Sequence, residues 1–229
     1  MRRIVGLVFP VLIATGCSPA VPSSVPTAPP SSTVSVSPAS SPASSPAAGA
    51  TESARPLSAG ELQPGVYTRP GFQPPVTFEV GEGWTVGTLA PGFFDIQQQR
   101  GTPDVIAVQF AKVQGVVGDG GSLVEAAGVR DAVDTIKANP GLQVVAESES
   151  LLGGEAGVVI EVRNTSGNHT QILQLPPGRL GIDSGRELWI ALFDTSDGVV
   201  AVMVGGSIDD WDHALGVAEP VLESIVFGD

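Results

Sequence analysis

Cysteine and basic side chains are scarce in this chain of 229 residues. Cys17 is the only cysteine, so no disulfide can form within the chain and no cysteine-rich zinc or iron–sulfur site can be built. Lysine and arginine together number 11 against 24 acidic residues, which gives a formal net charge of −13. Nucleic acids and anionic membrane surfaces are bound through clustered basic side chains, and no two basic residues are adjacent beyond Arg3. The sequence therefore predicts no nucleic-acid partner.

Histidine is equally scarce, which limits acid–base chemistry. His169 and His213 are the two histidines, and no Gly-x-Ser-x-Gly motif is present. Asp209, Asp210 and Asp212 surround His213, but carboxylates are also favoured in the first turn of a helix, and we interpret the cluster in that way. We therefore predict no metal, no cofactor and no catalytic residue. The alternative is a cell-envelope hydrolase that uses His213 or His169.

The first 16 residues have the pattern of an export signal. Two arginines precede an apolar stretch from residue 4 to residue 13, which is too short to span a bilayer, and small residues follow. The ending Gly16-Cys17 resembles the bacterial lipobox, with Ala14 where that family usually has leucine. This resemblance implies cleavage before Cys17 and a diacylglyceryl group on its side chain, and two acyl chains hold a protein firmly at a membrane. An ordinary signal peptide with an incidental cysteine is the alternative.

Residues 18–55 have the composition of a tether. They include 8 proline and 12 serine residues, and no charge occurs before Glu52. Such a segment cannot bury enough apolar surface to offset the entropy lost on ordering. We therefore divide the chain into a lipoprotein signal peptide (1–16), a lipidated Cys17 with a disordered Ser/Pro/Ala-rich tether (17–55), and a single domain (56–229).

The remaining residues alternate apolar runs with Gly, Pro, Asn and Asp, a pattern typical of a strand-rich fold. Leu188, Ile190 and Leu192 alternate with other apolar side chains, so that strand is apolar on both faces and must be covered on both. The predicted strands are 77–80, 93–96, 105–113, 144–152, 158–163, 170–175, 187–193 and 199–204, with hairpin turns at 153–154 and 197–198.

Two amphipathic segments predict the helices that cover this sheet. The first begins at Ser122, which forms a capping box with Glu125, and ends at Asn139. The second closes the domain, and Pro220 predicts a kink or a break near Gly216 because it removes a backbone donor. The expected fold class is α+β, with a central, mostly antiparallel sheet covered by helices on both faces.

The order of these elements resembles a known group of domains. A strand with a Gly-Trp turn occupies residues 78–84, and the closing helix ends in Leu-Glu-Ser-Ile-Val-Phe at residues 222–227. With the central antiparallel sheet, these features look like the PsbP-like α/β/α sandwich of photosystem accessory proteins, Ran-binding Mog-type proteins and LpqN/LpqT-type lipoproteins of actinobacteria. The resemblance implies a binding or assembly domain, and the fold itself implies no reaction.

These observations predict an exported lipoprotein that Cys17 anchors to the extracytoplasmic face of the cell membrane. Its domain is expected to bind either a small apolar ligand or another envelope protein, without catalysis. The two modes of binding require different interiors. A carrier needs an internal apolar cavity of roughly a few hundred Å³, whereas a protein-binding domain has a filled core and an exposed apolar patch.

Overall fold

The computed structural model describes residues 53–228, so Cys17, the predicted signal peptide and most of the predicted tether lie outside the described residues. Within the described range, 52% of the residues are in strands and 16% are in helices. No helix in this range is both long enough and apolar enough to cross a membrane.

The described residues contain sixteen strands, two α-helices and two short 3₁₀-helices at Asp119–Gly121 and Ile208–Asp210. In chain order the elements are β1 (Arg55–Pro56), β2 (Gly60–Glu61), β3 (Gly65–Arg69), β4 (Val76–Val80), β5 (Thr85–Ala90), β6 (Phe93–Gln98), β7 (Ile106–Lys112), β8 (Gly115–Val117), β9 (Leu123–Val124), α1 (Val129–Lys137), β10 (Leu142–Leu152), β11 (Glu155–Asn164), β12 (Thr170–Leu175), β13 (Gly178–Ile182), β14 (Arg186–Thr195), β15 (Gly198–Ser207), α2 (Trp211–Glu223) and β16 (Val226–Phe227).

The strands form one large sheet and two small ones. The main sheet has eight strands in the order β10-β11-β14-β15-β7-β6-β5-β2, and all of its neighbouring strands are antiparallel. The small sheets have the orders β1-β3-β4-β16 and β13-β12-β8-β9. Strand β14, which the sequence predicts to be apolar on both faces, lies inside the main sheet.

Each face of the main sheet carries its own apolar core. On the face covered by α2 and the sheet β1-β3-β4-β16, here called the α2 face, the rings of Phe78, Phe94 and Phe110 stack with centroids 4.4 to 5.9 Å apart. On the opposite face, the α1 face, α1 and the sheet β13-β12-β8-β9 pack against Ile160 and Ile190. Because side chains alternate along a strand, one apolar strand supplies both cores.

The prediction that helices cover both faces of the sheet is wrong. The described residues are mostly β, with one helix on each face beside a four-stranded sheet. The expected first helix is also too long, since Leu123–Val124 pairs with β8 as strand β9 and the helix begins at Val129. Ser122 donates a hydrogen bond from Oγ to the Asp119 carbonyl instead of capping a helix. Pairing with a distant strand overrides the local helix signal.

The second helix has no break near Gly216. It runs continuously from Trp211 to Glu223 with Pro220 inside it. Gly216 and Pro220 are both exposed, so the Gly216 carbonyl that loses its partner faces the solvent. Water can satisfy that carbonyl, and the helix therefore tolerates the proline.

Candidate functional site

Strand β10 forms one edge of the main sheet. Within the described residues its 11 residues pair only with β11, so one side of its backbone has no strand partner. At about 3.4 Å per residue the strand is roughly 37 Å long. A tight turn at Gly153 and Gly154, which have φ of 62° and 92°, joins it to β11. An open edge of this length is a template for the addition of another strand.

A β-bulge divides this edge into two parts. The pairing register shifts between Val144 and Ala146, and the intervening Val145 is 44% exposed. Bulges at sheet edges twist the strand and discourage indiscriminate pairing. The regular open edge therefore consists of residues 146–152, which we call the open edge.

Two glutamates and one leucine of the open edge point to the α1 face. Glu147 is paired with Ile160, and Glu149 and Leu151 follow at alternate positions. Glu147 lies 2.6 Å from Lys137 of α1, and the hydrogen bond to Glu147 raises the pKa of Lys137.

The neighbouring Arg130–Glu149 contact is looser. The two side chains approach to 3.7 Å and are 81% and 89% exposed. Exposed ion pairs of this kind contribute little, so Glu149 is available to another partner.

A cleft of about 510 Å³ adjoins the open edge where α1 begins. Leu151, which is 74% exposed, and Val158 contribute apolar lining, and Asp194 contributes a carboxylate. Asp194 accepts a hydrogen bond from the backbone N–H of Val129 at 3.0 Å and so satisfies a donor at the start of α1. Its carboxylate therefore stabilises the helix end and holds one wall of the cleft in place.

The two cores are filled with side chains. The largest buried residues include Phe72, Phe78, Phe94, Phe110 and Phe193, each no more than 1% exposed. Five clefts of about 120 to 510 Å³ in residues 53–228 each have a charged side chain in their lining.

The structure places the two histidines in different clefts. His169 Nδ1 lies 2.9 Å from Asp183 Oδ1, and the histidine side chain is 51% exposed. His213 is exposed in the first turn of α2 beside Asp212. Neither histidine has a hydrogen bond to a serine or threonine hydroxyl in residues 53–228. In the same range, no three His, Cys, Asp or Glu side chains are grouped as metal ligands.

The structure contains a buried ion pair between Arg163 and Glu187 that the sequence analysis does not predict. Glu187 of β14 is 1% exposed, and its Oε2 accepts hydrogen bonds from Arg163 Nη2 at 2.6 Å and Nε at 3.0 Å. Glu161 lies two residues before Arg163 on the same face, opposite Trp189. We call Glu161, Arg163 and Glu187 the acid corner, which lies on the α2 face. The available signal was the presence of charged residues within otherwise apolar strands.

The surroundings of the acid corner raise the pKa of Glu161. Burial raises the pKa of Glu161, and the charge of Glu187 raises it further, while the indole of Trp211 acts in the opposite direction. Glu187 Oε1 has no hydrogen-bond partner among the described residues. The corner therefore holds two carboxylates near one guanidinium.

No protein-family model and no curated protein matches this chain. Among the solved structures that are similar to it are three at 12% identity. The first is cyanobacterial PsbP from Synechocystis, with a TM-score of 0.42 over 76% of this chain and 98% of that one. The second is a Bacteroides thetaiotaomicron protein, with a TM-score of 0.35 over 73% of this chain and 50% of that one. The third is LpqN, involved in cell envelope biogenesis of Mycobacterium tuberculosis, with a TM-score of 0.37 over 73% of this chain and 87% of that one. PsbP and LpqN represent groups that the sequence resembles.

Proposed function

We propose that this protein is an exported, lipid-anchored lipoprotein of the cell envelope whose domain binds another envelope protein without catalysing a reaction. Export and anchoring are supported by the signal pattern of residues 1–16 and by Cys17. The serine- and proline-rich composition of residues 18–55 supports a tether that lets the domain reach partners away from the bilayer.

The observation that carries the binding proposal is the open edge of β10. Its occupant is an extended segment of another protein that adds an antiparallel strand to residues 146–152. Charge complementarity sets the chemistry of that segment, because a basic side chain would face Glu149, and another two positions along would compete with Lys137 for Glu147. An apolar side chain would contact Leu151, which is 74% exposed.

A second copy of this chain is a poorer occupant. An antiparallel pairing of two β10 strands centred on Ser148 would place Glu147 of one copy opposite Glu149 of the other. Like charges directly opposite each other destabilise a strand pair. The glutamates therefore favour a different, basic partner over self-association.

The other candidate functions have less support. A carrier of an apolar ligand would need an enclosed apolar cavity, whereas the five clefts described above all have a charged side chain in their lining. A hydrolase that uses His213 or His169 would need a nucleophile held against one of the two rings. His169 contacts Asp183, as in sites where a carboxylate orients an imidazole, but its ring has no hydroxyl partner in residues 53–228.

Substitution of Cys17 tests the anchor. The natural chain should fractionate with membranes of its host, and the Cys17→Ala variant should appear in the soluble or culture fraction because it has no acylation site. Ser18→Ala, one position further along, serves as the control and should remain in the membrane fraction. Recovery of Cys17→Ala in the membranes would contradict the lipid anchor.

Site-specific photocrosslinking in the host envelope tests the open edge. A photoreactive residue at Ser148 should give a defined adduct, whereas one at the exposed Glu82, in the turn after β4, should not. Mass spectrometry of the crosslinked peptide should identify an extended segment with Lys or Arg at alternate positions. The substitution Glu149→Lys should greatly reduce the adduct while leaving Tm nearly unchanged, because the contact of Glu149 with Arg130 is loose and exposed. A crosslink to another copy of this chain, or no adduct at Ser148, would overturn the proposed surface.

A further inference from the structure

One part of the α1 face is polar although the rest of that face is apolar. Asp95 and Gln97 of β6 and Gln109 of β7 lie there. Across the neighbouring strands of the sheet, the residues paired with them on the same face become apolar. Asp95 pairs with Gln109, which pairs with Met203, a member of the core on that face. We call Asp95, Gln97 and Gln109 the amide corner. Polar side chains on a covered sheet face call for an explanation.

The amide corner opens into a cleft of about 220 Å³ between the main sheet and β13. Gln97 and Gln109 line it from the sheet, and Leu180, Ile182 and Leu188 provide an apolar wall. The cleft therefore combines two amides with aliphatic surface, the mixture that small-molecule sites use for orientation and affinity.

Space in the cleft is maintained by small residues. Ala107 and Gly205 lie side by side in the sheet and both line the cleft. A Cβ atom added at Gly205 would meet only a methyl group of Leu188, at an ordinary contact distance of 3.6 Å. Neither packing nor backbone conformation requires glycine at this position, and a larger side chain would fill the cleft.

Asp95 fixes the orientation of one amide. It is 2% exposed, and its Oδ1 accepts a hydrogen bond from the Thr88 backbone N–H at 2.7 Å. Its Oδ2 accepts a hydrogen bond from Gln97 Nε2. Since an amide has two N–H donors and one oxygen acceptor, Gln97 keeps one donor and its oxygen for another partner. A Cβ at Gly87 would overlap the Asp95 carboxylate, so glycine there makes room for this arrangement.

The charged residues that line the cleft are either held by partners or direct their side chains to the opposite face of the sheet. Arg186 donates to the carbonyls of Pro103 at 3.2 Å and Val105 at 3.5 Å. Asp183 is held by His169. The side chain of Glu187 lies on the opposite, α2 face of the sheet, where Arg163 holds its Oε2 and its Oε1 has no hydrogen-bond partner among the described residues. The buried carboxylate of Asp95 also repels an anionic ligand. These contacts leave the two amides as the groups that select a ligand, and they favour a neutral one.

We propose that this cleft binds a neutral acetamido sugar. Hydroxyl and acetamide groups both donate and accept hydrogen bonds, which matches the paired capacities of Gln97 and Gln109. The acetamide methyl group suits the wall formed by Leu180, Ile182 and Leu188. The volume of about 220 Å³ equals that of about seven water molecules at roughly 30 Å³ each, which accommodates one sugar ring and excludes a lipid chain. This site is separate from the open edge of β10 and does not depend on it.

The test uses NMR titration of the whole mature chain from residue 17, with Cys17→Ser to prevent acylation. N-acetylglucosamine is the probe, and the dissociation constant expected for so small a ligand is about millimolar. The side-chain amide signals of Gln97 and Gln109 should shift saturably. Gln109→Ala should weaken binding at least about tenfold, as expected when one hydrogen bond is lost. Gln143→Ala, an exposed glutamine on β10, is the matched control and should change nothing.

Two further measurements, one on a Gly205→Leu variant and one on related sugars, can refute the proposal. Gly205→Leu should abolish binding while the variant remains folded, because its side chain occupies the cleft without backbone strain. Glucosamine, which is cationic, and glucose, which has no acetamide, should bind at least about tenfold more weakly than N-acetylglucosamine. The proposal is overturned by unshifted amide signals at about 50 mM probe, by undiminished binding in Gly205→Leu, or by glucosamine binding as tightly as N-acetylglucosamine.

Discussion

The acid corner on the α2 face and the amide corner on the α1 face are both polar interruptions of an apolar sheet, but they are built differently. In the acid corner, Glu187 is 1% exposed and its charge is matched by Arg163 at 2.6 Å. In the amide corner, Asp95 is equally buried but holds an uncharged amide, and that amide lines an open cleft. The first corner matches its buried charge with a cation of the protein, although Glu187 Oε1 has no hydrogen-bond partner among the described residues, whereas the second leaves amide donors and acceptors beside an open cleft. This difference separates a structural polar cluster from a candidate ligand site.

The largest expected effect comes from breaking the ion pair of the acid corner. Arg163→Met leaves Glu187 buried without a cation and should destabilise the protein by about 3 kcal/mol, the lower end of the range for such pairs because Arg163 is partly exposed. Urea unfolding measures the loss.

The double variant Arg163→Met with Glu187→Leu is the control for this prediction, since it removes both charges. It should recover most of the lost stability. A single variant as stable as the natural protein would show that the pair is not needed to keep Glu187 in the fold.

A smaller effect, with a defined pH dependence, is expected at Glu161. Burial and the charge of Glu187 raise its pKa above the ordinary value of 4.5, so the folded state favours the protonated form. The stabilisation that protonation provides is complete below the unfolded pKa and is lost as the pH rises through the folded pKa. Glu161→Gln mimics the protonated form and should stabilise the protein at pH 7 by about 0.5 kcal/mol after allowance for solvent screening.

Thermal unfolding at several pH values measures this difference. The advantage of Glu161→Gln should shrink as the pH falls and disappear below pH 4.5, the ordinary pKa of the side chain. Glu149→Gln, at an exposed position of β10, is the matched control and should show no comparable trend. An advantage that grows on acidification would contradict the assigned direction of the shift.

The smallest effect on stability is expected in the amide corner. Gln109→Leu removes an amide that faces a cleft, so the free energy of unfolding should change by no more than about 0.5 kcal/mol. The same denaturant titration used for Arg163→Met gives this value. A loss greater than about 1 kcal/mol would mean that the amide is a structural group like those of the acid corner.

The longer strands could be predicted from the sequence, because alternation and turn residues act locally. Strand β12 was predicted with its observed bounds, Thr170–Leu175. The hairpin between β14 and β15 was also predicted, but its turn lies at 196–197, one residue before the predicted 197–198. Strands β3, β8 and β13 were missed because they are short, begin with glycine and are stabilised by pairing with distant strands. The helix expected at Ser122 failed for the same reason.

The candidate sites were harder to predict than the strands. The run of residues in β10 predicts a strand, but its place at the edge depends on the strand order of the whole sheet. Gln109 follows Asp95 by 14 positions and Gln97 by 12 positions, and the three side chains come together only through the pairing of β6 with β7. The lone charges at Glu161 and Glu187 are visible in the sequence, yet the ion pair of Glu187 with Arg163 depends on the pairing of β11 with β14.

The order of strands in the main sheet also has a consequence for how the chain reaches this structure. Strands β5 to β7 pair with their sequence neighbours, as do β14 and β15, and the single ladder between β7 and β15 joins the two groups. In that ladder Phe110 pairs with Val202, which is separated from it by most of the second half of the chain. Contacts between such distant segments form slowly. We therefore expect the two halves to gain structure separately and the closure of this ladder to set the rate of folding.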